Sequence, residues 1–299
     1  MPITEINRLP VHYQAAGHGP TLVLIHGLFS NLAFWYMSVV PILARRFRVV
    51  VYDLRGHGYS GSPPSGYTTH DMAADLHHLL EHLGDERVHL IGHSFGGGVA
   101  LHYTVLHPER VLSLTLADAR VQALQPPLQP RGAAHWRRLN TRLRQAGIEV
   151  PENLPRVAYS LFEDLAYLRR SASGPGPAQD NPMGGFLGAR TGNSRTMQRW
   201  SQLMRTTTAH RDLEDPAGLT VEQIRRVKQP TLAIFGRRSS CLPTLRGLKQ
   251  CIPQCRSILV SKAGHFHPVL KPEGFVKHLE EFIEGVEVEQ KPKVISGTG

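Results

Sequence analysis

Short apolar runs separated by helix-length segments are the feature that most constrains this chain. Thr21–Ile25, Arg48–Tyr52, Val88–Ile91 and Val111–Ala117 are compact and apolar, and each reads as a buried strand. Between the second and third, Thr68–Leu83 spaces Met72, Leu76, Leu79, Leu80 and Leu83 as one face of a helix. Asp71 falls in its first turn, where the helix dipole favours a carboxylate. Phe95–Leu106 reads as a second helix, with Gly96, Gly97 and Gly98 in its first turn. Strands in this rhythm require right-handed crossovers and form a mostly parallel sheet. A short hairpin, Ile3–Ile6 with Val11–Gln14, precedes them.

The rhythm breaks after Asp118. Helical patches at Ala134–Gln145, Arg156–Leu168 and Thr196–Thr206 replace strands, and Ser171–Asn193 is a Gly-, Pro- and Ser-rich loop. Strand pattern returns at Thr231–Phe235 and Arg256–Val260, followed by a helix across Gly274–Ile283. The expected organisation is an α/β core over 1–118 and 228–285, a helical cap over 119–227, and a disordered polar tail over 286–299.

Composition bounds the function. The chain has 299 residues, is 41% hydrophobic, and carries 34 Lys and Arg against 24 Asp and Glu. That is a globular balance, with no apolar run near the roughly 20 residues a bilayer crossing needs. No apolar leader opens the chain, so a soluble, cytoplasmic protein is expected. The basic excess is scattered and no nucleic-acid-binding motif accompanies it. Much of it falls in 119–228, which holds 17 Lys and Arg against 9 Asp and Glu. Cys241, Cys251 and Cys255 have neither a disulfide framework nor zinc-site spacing, and no lysine-bearing phosphate loop is present. No metal or cofactor is expected.

The chemistry concentrates at Gly92-His93-Ser94-Phe95-Gly96, between a buried strand and a helix. This is the Gly-x-Ser-x-Gly elbow in the context that it requires. The turn is so tight that the residues two before and two after the serine must lack bulk. It lifts the Ser94 hydroxyl clear of the sheet and leaves helix N–H groups facing developing negative charge.

Together with His26-Gly27-Leu28, Asp53-Leu54-Arg55-Gly56-His57-Gly58 and Ala263-Gly264-His265, this elbow resembles the α/β-hydrolase family, in its capped, serine esterase-like branch. The resemblance spans nearly the whole chain outside the insertion, which falls where that family places its cap. It implies Ser94 as nucleophile, His265 as base with His267 as rival, and an oxyanion hole made by the backbone N–H groups of Leu28 and Phe95. The family commonly takes its acid from the third residue after the glycine ending the strand Thr231–Phe235. Here that residue is Ser239, which cannot carry charge. Asp118, at the end of the strand after the nucleophile strand, is the substitute, and a Ser94–His265 dyad is the alternative.

A serine at the elbow, where dehalogenases and epoxide hydrolases carry aspartate, implies acyl transfer to water on a small carboxylic ester, thioester or lactone. Phe162, Leu165, Phe186 and Met204 are candidate pocket walls. The basic insertion, with Arg137, Arg138, Arg142 and Arg144, suggests a dock for acidic acyl-carrier or CoA-linked substrates. A catalytically weak ligand-binding member of the fold is the remaining alternative.

Overall fold

The computed structural model describes residues 2–125, 137–138, 140–141, 144–145 and 195–290. Its strands are β1 (Ile3–Ile6), β2 (Leu9–Ala16), β3 (Thr21–Ile25), β4 (Arg48–Tyr52), β5 (Val88–His93), β6 (Val111–Ala117), β7 (Thr231–Gly236) and β8 (Arg256–Val260). They form one sheet in the order β1-β2-β4-β3-β5-β6-β7-β8. The first two joins are antiparallel and all the rest are parallel. β5 therefore lies in the middle of the sheet, and all six of its residues are buried. A strand buried along its whole length is covered on both faces, which is why these strands read as unbroken apolar runs.

The helices are α1 (Ala33–Tyr36), α2 (Val40–Leu43), α3 (Thr69–Leu83), α4 (Phe95–Leu106), α5 (Arg195–Thr206), α6 (Ala209–Asp212), α7 (Val221–Ile224), α8 (Leu242–Cys251), α9 (His267–Leu270) and α10 (Pro272–Gln290). α3 starts at a reciprocal cap, in which the Thr68 hydroxyl accepts from the Asp71 amide and the Asp71 carboxylate accepts from the Thr68 amide. The four-residue helices carry too few residues to show a period in the sequence. α10 extends past the expected helix into 286–290, because Val286 still packs into the core.

Of the insertion, the part from Trp200 to Val227 shares the main hydrophobic cluster: Trp200, Leu203, Met204, Leu213, Leu219 and Ile224 are all buried in it. Arg137, Arg138 and Arg144 are helical and exposed. Arg142 and the patch Arg156–Leu168 lie outside the described residues, as does the loop Ser171–Asn193. No helix among the described residues is long and apolar enough to cross a membrane.

The loop after β4 ties the sheet ends together through one buried carboxylate. Asp53 accepts from His12 Nδ1 at 2.6 Å, from the Leu32 amide at 2.7 Å and from the Tyr59 amide at 2.9 Å. Gly58, at φ +51°, is forced by the same group, since a Cβ there would lie 2.1 Å from Asp53 Oδ2. Nearby, Arg55 grips both oxygens of Asp75 and the Gly66 carbonyl. Asp53→Ala strands three donors, two of them buried. It is expected to lower the unfolding free energy by about 3–5 kcal/mol, read as a lower urea midpoint at unchanged slope.

Candidate active site

Ser94 stands between β5 and α4 at φ 54°, ψ −124°, a conformation outside the favoured regions for a residue with a side chain. Its surroundings over-determine that conformation. Its amide donates to Ala117 O at the end of β6, and its carbonyl accepts from the amides of Gly97 and Arg120. A Cβ on Gly92 would lie 2.4 Å from Gly96 O, and one on Gly96 would lie 2.3 Å from His26 O. Both obstacles are backbone, so neither can swing aside.

The end of β3 packs directly against this turn. A Cβ on Gly27 would come within 2.8 Å of Ser94 Cβ, so the residue before Leu28 packs directly on Ser94. Phe95 opens α4 on the other side. Among the described residues neither the Leu28 nor the Phe95 amide has an acceptor. His26 holds the β3 end in place: its Nδ1 donates to Gly27 O at 2.8 Å and its Nε2 accepts the Leu54 amide at 3.1 Å. Burial lowers its pKa and keeps it neutral, as this pattern requires.

His265 lies in the loop after β8, buried, with its ring 4.6 Å from that of His93. His93 Nε2 donates to the His265 carbonyl at 2.9 Å, which joins the nucleophile strand to the loop bearing the candidate base. His93 is itself stacked on Phe34, and burial pulls its pKa down to about 3, so it is a neutral donor. Burial, then the neighbouring His93, His267 and Arg120, push the His265 pKa well below the ordinary imidazole value. No hydrogen bond among the described residues joins the Ser94 hydroxyl to His265, a contact often long in an unliganded site.

The expected partnership of Asp118 with His265 is absent. Asp118 is fully buried at φ 43°, and its Oδ2 lies 2.9 Å from His267 Nε2 and accepts the Gly236 amide at 2.9 Å. Burial raises its pKa, while His267, Ser239 and Gly236 oppose that rise. The two histidines diverge because α9 begins at His267 with Pro268 behind it. His265 is thereby turned toward His93 at the elbow, and His267 toward the ends of β6 and β7. The Nδ1 of His265 instead meets the sulfur of Cys241 at 3.7 Å. Ser239 sits beside Asp118, and its hydroxyl accepts the Cys241 amide at 3.0 Å. The sequence pattern places neither Cys241 nor the anchoring His93 beside His265. Cys241's position two residues past Ser239 was the available signal.

Of the candidate wall residues, Met204 is buried in the hydrophobic cluster, whereas Phe162, Leu165 and Phe186 lie outside the described residues. Among the described residues no group of three or more His, Cys, Asp or Glu is arranged to hold a metal ion.

Residues 20–272 match the family described as the alpha/beta hydrolase fold. The chain belongs to the alpha/beta hydrolase fold family. Among curated members, a fluoroacetate dehalogenase of a Burkholderia species is 37% identical over 121 residues, a match covering 39% of this chain and 40% of that protein. The chain thus spans about two fifths of the first curated hydrolases that it resembles. A pimeloyl-[acyl-carrier protein] methyl ester esterase of Aeromonas hydrophila subsp. hydrophila is 28% identical and matches 92% of this chain and 100% of its own length. The enol-lactonase of Burkholderia xenovorans LB400 shares the hydrolase fold with a TM-score of 0.67 at 22% identity, covering 95% of this chain and 100% of its own.

Gly96→Ala tests the elbow. With backbone on every side of the added methyl, a destabilisation of about 3 kcal/mol is expected in a denaturant melt. Loss of hydrolytic turnover should accompany it.

Proposed function

We propose that this hydrolase cleaves a carboxylic ester through an acyl-enzyme on Ser94. The observation that carries the reading is a serine held at a strained elbow beside two backbone amides that have no acceptor among the described residues. In the proposed reaction, Ser94 Oγ attacks the acyl carbon while His265 Nε2 takes its proton. The carbonyl oxygen becomes an oxyanion that accepts from the Leu28 and Phe95 amides. Collapse breaks the C–O bond, and the leaving alkoxide takes the proton from His265. Water then attacks the acyl-serine, His265 removes its proton, and the same proton returns to Ser94 as the acid departs.

The atom at the elbow separates this chemistry from that named for some relatives. A carboxylate that displaces halide or opens an epoxide leaves an ester, which water can cleave. A serine oxygen doing the same would leave an ether, which it cannot. Ser94 therefore favours acyl transfer, and the full-length similarity to an Aeromonas hydrophila methyl ester esterase supports an ester as substrate.

Two outcomes are expected. Wild-type protein mixed with a short-chain p-nitrophenyl ester releases a burst of p-nitrophenol, and Ser94→Ala abolishes it; an undiminished burst in that variant would overturn the reading. Asp118, in this reading, acts through His267 on the loop that carries His265. Asp118→Asn should therefore lower kcat by about 10- to 100-fold, the scale of one charge-assisted hydrogen bond. A loss near 10⁴-fold would put the carboxylate on the base directly.

A further inference from the structure

We propose that Cys241 is the positioning residue of the base, its sulfur standing at Nδ1 of His265 where a triad carboxylate would otherwise stand. The inference rests on the reading of His265 as base. The sulfur lies 3.7 Å from Nδ1, within reach of an N–H···S contact to a weak acceptor. A neutral imidazole has one N–H. Donated from Nδ1 to sulfur, it leaves the Nε2 lone pair free to take the Ser94 proton.

The groups around His265 agree. Burial first, and then His93 at the elbow, His267 at the start of α9 and Arg120 after β6, disfavour its imidazolium. The buried carboxylate at these strand ends, Asp118, is engaged by His267 and the Gly236 amide. Cys241 itself is fixed by its surroundings. Its amide donates to Ser239 Oγ, its carbonyl accepts the Thr244 amide, and it opens α8 ahead of Pro243. The thiol is buried, so it shares the dry environment of the ring that it contacts.

A thiol orients the ring without supplying a charge to stabilise its protonated form. The base therefore takes up a proton only at a pH under the ordinary imidazole range, and the acid limb of kcat/KM lies there.

The test uses the full chain with Cys241→Asp, Cys241→Ala and Cys241→Ser. His265 is titrated by NMR in the Ser94→Ala background, and pH–rate profiles are taken with Ser94 present. Cys241→Asp should raise the His265 midpoint by about one to three pH units, and the acid limb should follow. Cys241→Ala should lower kcat by roughly tenfold with KM unchanged, and Cys241→Ser should recover part of that loss. If Cys241→Asp and Cys241→Ala leave both the His265 titration and the acid limb at wild-type values, the proposal is overturned. The two smaller variants keep the test open should the aspartate fail to fold. Full activity in His265→Asn would overturn the base assignment instead, with the Cys241–His265 contact still reported by the titration.

Discussion

Everything at this site depends on one strained residue. Ser94 holds a positive φ because β3, β6 and α4 leave the chain no other path, and such a conformation costs on the order of 1–3 kcal/mol. The strain is sustained by close approaches that leave no room for a side chain. Gly92 lies against Gly96, Gly96 against His26, and Gly27 against Ser94 itself. A side chain at Gly92 would push α4 off β5, and one at Gly96 or Gly27 would push the end of β3, and with it the Leu28 amide, away from the elbow. The geometry that holds Ser94 at the elbow is thus the same geometry that brings the Leu28 amide beside it.

That packing asks the neighbouring loops to be rigid, and buried polar groups supply the rigidity. Asp53 gathers His12, Leu32 and Tyr59, and His26 bridges its own strand end to Leu54. His93, directly before the nucleophile, reaches across to the His265 carbonyl. Each of these imidazoles that burial holds neutral can present one fixed donor and one fixed acceptor, which suits it to join two backbones. His26 and His93 act as struts in this core, and their neutrality is what allows them to be buried.

The core was legible from sequence because its signals are local. The strands from β3 to β6 are unbroken apolar runs, α3 carries its period and its cap, and the elbow glycines declare a turn that only they can make. α1 and α2 were invisible, being one turn each. The site was legible in its landmarks but not in its pairings. Asp118 does reach the region of Ser239 from the adjacent strand end, as its place in the chain suggested. Which of two histidines it meets depends on how a three-residue turn is wound. The turn ends in a helix that opens at His267 with Pro268 in its first turn, and no spacing rule encodes how that helix is aimed.

The outcome is a division between orientation and charge. In a Ser–His–Asp triad one carboxylate both orients the base and stabilises its protonated form. Here the carboxylate lies on His267, and its neighbour at 3.3 Å, the Ile234 carbonyl, shares that ring nitrogen. The charge is therefore spent on holding β6, β7 and the loop after β8 as one unit. His265 hangs from that unit, its carbonyl tied to His93 and its ring beside Cys241. With His265 as the proposed base, a carboxylate placed on His267 weakens its pull on a proton but leaves its place in the site intact. Such an arrangement suits a substrate whose leaving group needs little help, and disfavours one whose expulsion demands a strongly stabilised imidazolium.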